Sequence, residues 1–207
     1  MTDVEAKIIA SVDAQKDDLL KFFQSLVRCQ SFTKHEQEVA SLLISGLKER
    51  GMTDVEIIER EPGRPNVVAY YRGKEDGPNF TFNGHLDVLP PQDATEWAHD
   101  PFSADIEDGK LYGRGTVDMK SGTFSSFFAG LILTQLQVPI RGKVTFTGVC
   151  DELICGKDGI LYLLKSGVIK KEHPDDMGLN CEPTNLCEIN MATKGVYRVD
   201  VEVIGKG

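Results

Sequence analysis

"NFTFNGHLDVLPP" (residues 79–91) opens as a short β-rich run and closes in a proline-bearing loop, with a histidine and an aspartate at the junction. His85 and Asp87 stand two apart, so on a strand both side chains face one side while Leu86 and Val88 face the other. A histidine that holds a metal through one ring nitrogen needs its orientation and tautomer fixed by an acceptor, and a nearby aspartate commonly supplies one. Three residues alone more often mark a strand-end histidine capped by a local carboxylate. The neighbourhood therefore has to decide.

Upstream, "VEIIER" (55–60) and "NVVAYYRG" (66–73) also read as strands, punctuated by Pro62-Gly63, Gly73 and Gly77-Pro78. Two amphipathic helices precede them. "DDLLKFFQSLVR" (17–28) carries Leu19, Leu20, Phe22, Phe23, Leu26 and Val27 at helical spacing. "SFTKHEQEVASLLISGLKERG" (31–51) carries Val39, Leu42, Leu43 and Leu47 as its apolar stripe. Thr33 and Glu36 have capping-box spacing there, and Gly51 supplies the stop.

Downstream, residues 89–115 are rich in Pro, Asp and Gly, and are expected to form a long ordered loop with short strands. A third helix (118–137) follows, its surface kept small by Gly122, Ser125, Ser126, Ala129 and Gly130 for close packing on a sheet. A strand (143–149), a helix (156–167), a short strand with a turn (177–183) and a longer strand (196–205) complete the chain. The alternation implies an α/β fold: a mixed, mostly parallel twisted sheet with helices on both faces.

The 207 residues suffice for one good-sized domain and the start of another. The net charge of −9, with no long basic run, argues against nucleic acid or an anionic membrane as partner. No apolar stretch reaches the roughly 18 residues of a membrane span. The opening "MTDVEAKIIASVDAQKDD" lacks the basic-then-apolar order of a signal peptide, so a cytoplasmic location is expected. The cysteines then read as reduced thiols, and none are spaced C-x-x-C as in a thiolate zinc site.

In such sheets ligands collect at the carboxyl ends of strands. Four acid- or imidazole-bearing stretches fall at expected strand ends or in the loops that leave them: His85 with Asp87, Asp118, Asp151 with Glu152, and Glu182. Asp118 follows a glycine-rich turn in "LYGRGTVDMKSG" (111–122) and precedes a helix, where an isolated aspartate would serve as an N-cap. "GVCDELICG" (148–156) sets Asp151 and Glu152 directly after a strand, and "NCEPT" (180–184) sets Glu182 before Pro183. Arg114 and Lys120 could hold a substrate carboxylate or be ordinary structural cations.

Taken in order, "GHLDVLP", the run from Trp97 through "LYGRGTVDMKSG", the acid pair, "CEPT" and the closing "KGVYRVDVEVIGKG" resemble the M20 metallopeptidase family. That family includes acetylornithine deacetylase, succinyl-diaminopimelate desuccinylase, aminoacylase-1 and carboxypeptidase G2. The resemblance implies a zinc-peptidase-like catalytic domain that cleaves the amide of an N-acyl amino acid or small peptide. It implies a site for two Zn2+ (or Co2+ or Mn2+) ions: His85 binds one, Asp118 bridges both, Glu182 completes the shell of the His85-held ion, and Asp87 sits behind His85. The Asp118–Met119 peptide is expected to be cis. Glu152 matches the general base that takes a proton from a metal-activated water and passes it to the leaving amine.

Two departures qualify that picture. Where the family places a second glutamate as ligand to the other metal, this chain has Leu153, whose side chain has no lone pair. Sliding the register, with Glu152 as ligand and Asp151 as base, is the less favoured alternative because aspartate is shorter. The family also continues into a lid domain, through which it homodimerises, and then returns with further histidines. Residues 1–194 are thus expected to be the N-terminal part of the catalytic domain, and 195–207 the first strand of the lid. One metal is expected here, with weak or absent turnover. A non-catalytic binding subunit retaining the fold, and a dinuclear zinc aminopeptidase or dipeptidase, are the competing readings.

Overall fold

The first helix, α1, runs Asp3–Arg28 in the computed structural model, which describes residues 2–185, 188–192 and 205. It starts well before the expected residue 17 because Thr2 and Glu5 form a reciprocal capping box. Thr2 Oγ1 accepts the Glu5 N–H at 3.2 Å, and Glu5 Oε2 accepts the Thr2 N–H at 2.7 Å. Helix α2, Gln37–Glu49, buries Val39, Leu43 and Leu47 as expected, and Gly51 at φ +99° follows its end. The capping box expected at Thr33 and Glu36 does not form. The Thr33 hydroxyl donates to Asp87 Oδ2 at 2.8 Å, and the Glu36 carboxylate turns inward to Arg64. A charge-assisted bond to a buried guanidinium outweighs a neutral helix N–H.

Strands β1 (Val55–Glu59), β2 (Pro65–Arg72) and β3 (Glu75–His85) follow. The Gly77-Pro78 pair does not end a strand; β3 runs through it with a register irregularity between Glu75 and Asn79. The expected long loop holds a short hairpin of β4 (Asp105–Glu107) and β5 (Lys110–Tyr112). Helix α3 (Lys120–Leu136), strand β6 (Arg141–Val149), a six-residue helix α4 (Ile160–Lys165) and strand β7 (Met177–Asn180) come next. The strand expected at 196–205 lies outside the described residues.

The main sheet has the order β1-β2-β6-β3-β7. Its pairings are evenly divided rather than mostly parallel: β1–β2 and β2–β6 are antiparallel, β3–β6 and β3–β7 parallel. The tight connection at Pro62-Gly63 folds β2 back on β1, whereas a parallel partner needs a crossover, and helices α3 and α4 lie in the segments that provide one.

Helices cover both faces. Val67 and Ala69 of β2, with Phe146 of β6, face a core built from α1, α2 and α3; Val68 and Val149 face Leu163 of α4 on the other side. Each such valine, leucine or phenylalanine, fully buried, is worth roughly 1.5–3 kcal/mol. The small face of α3 does what its composition suggests: a Cβ on Gly130 would lie 2.6 Å from the Phe146 ring, so glycine permits the close approach. In the parallel part of the sheet, His85 pairs with Val149, and Asn83 pairs with Asn180. The carboxyl ends of β3, β6 and β7 therefore emerge side by side, with His85 at one end and Asp151, Glu152 and Glu182 just beyond the others.

Candidate metal centre

His85 is the last residue of β3 and is 1% exposed. Its neighbours are locked from several directions. Thr123 Oγ1 donates to the His85 carbonyl at 2.9 Å, Ser31 Oγ to the Leu86 carbonyl at 2.7 Å, and the Val88 N–H to the Ser31 carbonyl at 2.8 Å. Gly84 makes room for this arrangement, since a Cβ there would meet Thr123 Oγ1 at 2.3 Å.

The ring's Nδ1 lies 2.8 Å from the Asp87 carbonyl oxygen, which only accepts, so Nδ1 carries a proton and Nε2 is the nitrogen turned to the carboxylates. Asp87 thus orients His85 through its main chain; its carboxylate is farther away, 3.6 Å from Nδ1. That carboxylate is taken up elsewhere. It accepts the Glu152 and Leu153 N–H groups, each at 3.3 Å, and the Thr33 hydroxyl. A role strictly behind the imidazole, as expected from sequence, is therefore only half of what Asp87 does.

Nε2 of His85 faces three carboxylates: Asp118 Oδ1 at 3.0 Å, Glu182 Oε1 at 3.6 Å and Glu152 Oε2 at 3.8 Å. His85, Asp118 and Glu182 each offer one donor atom, all within 4.8 Å of one another. Asp118 does not serve as a helix cap. Helix α3 begins after Met119 without a side-chain cap, and the Asp118–Met119 peptide is cis. Burial, reinforced by the facing Asp118 and Glu152, pushes the Glu182 carboxyl above its ordinary range, although His85 pulls the other way. An imidazole nitrogen and several converging carboxylates are a donor set that suits a divalent cation, whose charge would offset the carboxylates' mutual repulsion.

Asp151 and Glu152 part company here. The Asp151 carboxylate turns into the protein and pairs with Arg64, whereas the Glu152 side chain stays partly exposed and faces the donor set. Asp151 stands at φ +69°, the left-handed region, at the head of the 3-10 turn Glu152–Ile154. Leu153 follows in that turn with its N–H on Asp87.

The two cations weighed for substrate binding are placed differently. Lys120 Nζ donates to the Leu26 and Cys29 carbonyls, both at 2.8 Å, and so caps the carboxyl end of α1; burial lowers its pKa to about 8. It is structural. Arg114 stacks over Trp97 at 4.8 Å. Glu36, Arg64 and Thr33 were not singled out as site residues in the sequence, and only their long-range partners reveal them. A cavity of about 550 Å³ lined by Val117, Ser121, Cys181, Glu182 and Pro183 adjoins the donor set. An apolar cavity of about 600 Å³ among Ile8, Val12, Phe80, Phe82 and Phe128 carries no titratable side chain.

The family described as Peptidase family M20/M25/M40 matches residues 81–205. The chain is similar to succinyl-diaminopimelate desuccinylase 2 of Ruegeria sp. (strain TM1040), 37% identical over 180 residues, which cover 86% of this chain and 44% of that protein. It spans less than half the length of the curated relatives it matches. Among solved structures, human carnosine dipeptidase 1 superposes with a TM-score of 0.66 at 19% identity, over 80% of this chain and 38% of the other. A dinuclear metal-binding peptidase of the M20 family from Bacillus subtilis does so with a TM-score of 0.58 at 23% identity, over 79% and 45%. At these identities the superpositions speak to the fold.

Proposed function

The chain belongs to the M20/M25/M40 peptidase family, and from that premise we propose that residues 1–194 form part of a catalytic domain that hydrolyses the amide of an N-acyl amino acid or small peptide. His85, Asp118 and Glu182 would hold one Zn2+, Co2+ or Mn2+ ion. When bound, such an ion supplies Lewis acidity, polarising the scissile carbonyl and acidifying a water. Glu152 takes a proton from the attacking water and delivers it to the departing amine, so that amide and water become a carboxylate and an amine. Asp87 holds both partners, His85 through its carbonyl and the Glu152 turn through its carboxylate. The 195–207 segment is proposed as the opening strand of a lid.

The observation that carries this reading is the position of Glu152 Oε2, 3.8 Å from His85 Nε2 and on the same side as Asp118 and Glu182. The ion pair of Asp151 with Arg64 speaks against the shifted register in which Asp151 is the base. The relatives' names make N-succinyl-diaminopimelate the first substrate to try. The test is hydrolysis of that compound, and of N-acetyl amino acids, by protein supplied with Zn2+, Co2+ or Mn2+. Turnover that is lost in Glu152→Gln is expected; turnover that survives the substitution sinks the assignment.

A binding role without turnover is the second reading, and Leu153 favours it. A leucine where the family places a carboxylate removes one ligand to a second ion.

A further inference from the structure

Behind Glu152 lies an enclosed set of charges that takes no part in the donor set. Arg64, 8% exposed, sits just before β2. Its guanidinium donates to Glu36 Oε2 at 3.2 Å and to Asp151 Oδ1, and its Nε lies 3.6 Å from Asp158 Oδ2. Glu36, fully buried, uses its other oxygen to accept the Lys34 N–H at 3.0 Å and the Asp151 N–H at 3.3 Å. Asp151 Oδ2 accepts the Asp158 N–H at 3.2 Å, closing the far end of the turn. Asn66, two residues after Arg64, accepts the Cys150 N–H at 3.2 Å and donates to the Asp158 carbonyl at 2.9 Å.

These bonds grip residues 150–158 at both ends, outside the reacting atoms. The middle of the turn is held separately, by Asp87 on the Glu152 and Leu153 N–H groups. The left-handed backbone of Asp151 is unfavourable for a residue with a Cβ and persists only where the surroundings enforce it. Here the enforcement is visible: the Asp151 side chain and N–H are both claimed from within. With the carboxylate of Asp151 drawn inward, the carboxylate of the next residue projects the other way, toward His85.

We propose that Arg64, oriented by Glu36, is a positioning residue that fixes the Asp151 turn so that Glu152 projects at the His85–Asp118–Glu182 donor set. The assignment deepens the function proposed above and depends on Glu152 being the proton carrier. It has a specific signature. His85, Asp118 and Glu182 sit on other segments, so disturbing Arg64 should displace the base and leave the cation's ligands in place. Arg64→Lys keeps the charge but loses the planar fork that reaches two carboxylates at once.

The experiment compares the unaltered 207-residue chain with Arg64→Lys, Arg64→Met and Glu36→Gln. Hydrogen exchange of residues 151–156 should accelerate by about tenfold or more in Arg64→Lys, and further in Arg64→Met, while exchange in Arg141–Val149 stays unchanged, as expected of local opening. Zn2+ affinity, measured with the metal alone, should stay within about twofold, because the donor atoms are untouched. In the turnover assay kcat should fall about tenfold with KM nearly constant, Arg64→Lys being milder than Arg64→Met. Should Arg64→Met fail to fold, Arg64→Lys and Glu36→Gln carry the test. Unchanged exchange at 151–156 overturns the proposal, as does Zn2+ affinity that falls in step with it, or a kcat that ignores it. If the unaltered chain turns over no substrate, the binding role without turnover is favoured over hydrolysis by this chain. Exchange and Zn2+ affinity then still judge the positioning.

Discussion

The Asp87 carboxylate accepts the backbone N–H of Glu152 at 3.3 Å, while the Asp87 carbonyl receives Nδ1 of His85 at 2.8 Å. One residue thus ties the histidine at the end of β3 to the acid beyond the end of β6. Asp87→Asn keeps the carbonyl and the shape but replaces one accepting oxygen with an amide donor. At least one of the Thr33, Glu152 and Leu153 bonds must then be lost. Supporting residues of this kind typically change metal affinity by roughly 10–100-fold, and a loss toward the low end is expected because the carbonyl is retained. Competition against a chromophoric chelator measures it. Asp87→Ala should do the same or worse.

The donor set offers ligands for one ion among the described residues. After dialysis, elemental analysis should find close to one Zn2+ per chain, and two tightly held ions would contradict this. His85→Ala should weaken binding by more than the roughly 100-fold upper range of a supporting residue. Protons compete for Glu182 at a higher pH than for an ordinary glutamate, because burial raises its carboxyl. Affinity should therefore decline with falling pH sooner than it would for an ordinary glutamate ligand, and Glu182→Gln should bind weakly at every pH.

Leu153 stands in the turn beside Glu152, its N–H already anchored on Asp87. Leu153→Glu adds a carboxylate without altering that anchor. A second, weaker equivalent of Zn2+ is expected in calorimetric titration. An unchanged isotherm would mean that residue 153 points away from Asp118.

Lys120 is a stability element, and pH exposes it. Its pKa is lowered to about 8 by burial, against 10.5 for an ordinary lysine. Below pH 8 the ammonium is charged in both folded and unfolded chains. Between pH 8 and 10.5 the unfolded chain binds the proton more tightly, so the folded state gains relative stability as pH rises. In urea unfolding, the advantage of the unaltered protein over Lys120→Met should therefore widen from pH 7.5 to pH 10, on the order of 2 kcal/mol. At pH 7.5 the variant is expected to be destabilised by the unpaired Leu26 and Cys29 carbonyls, roughly 1–3 kcal/mol for each buried group left unsatisfied. A gap that narrows with pH would refute the assignment.

Much of the fold was legible in the sequence because strands and helices announce themselves locally. The β-rich runs at 55–60, 66–73 and 143–149 match β1, β2 and β6 closely, and Val39, Leu43 and Leu47 face the core as their spacing implies. What failed was competition. Thr33 and Glu36 have the right spacing for a capping box, but spacing cannot show that Asp87 and Arg64 reach them from residues 54 and 28 positions away. The even split between parallel and antiparallel pairs was hidden for the same reason: strand order is a long-range property. The donor set lay between these cases. His85, Asp118 and Glu182 were visible as acids and imidazole at strand ends or in loops, and the parallel sheet brings His85 and Glu182 together while the turn ahead of α3 adds Asp118. Arg64 carried no local signal at all.

The pairing of His85 with Val149 across β3 and β6 fixes how this region tolerates insertions and deletions. Strand neighbours lie about 4.8 Å apart, so residues just beyond their ends meet without further adjustment. A single residue deleted within Arg141–Val149 would turn every later side chain to the opposite face of the sheet. Val149 would leave the α4 side, and Asp151 and Glu152, which follow it, would be carried out of register with His85. The β4–β5 turn at Asp108–Gly109, where a Cβ on Gly109 would meet no other atom within 4 Å, faces no such constraint. Length variation among homologous chains should therefore concentrate there and avoid the interior of β6.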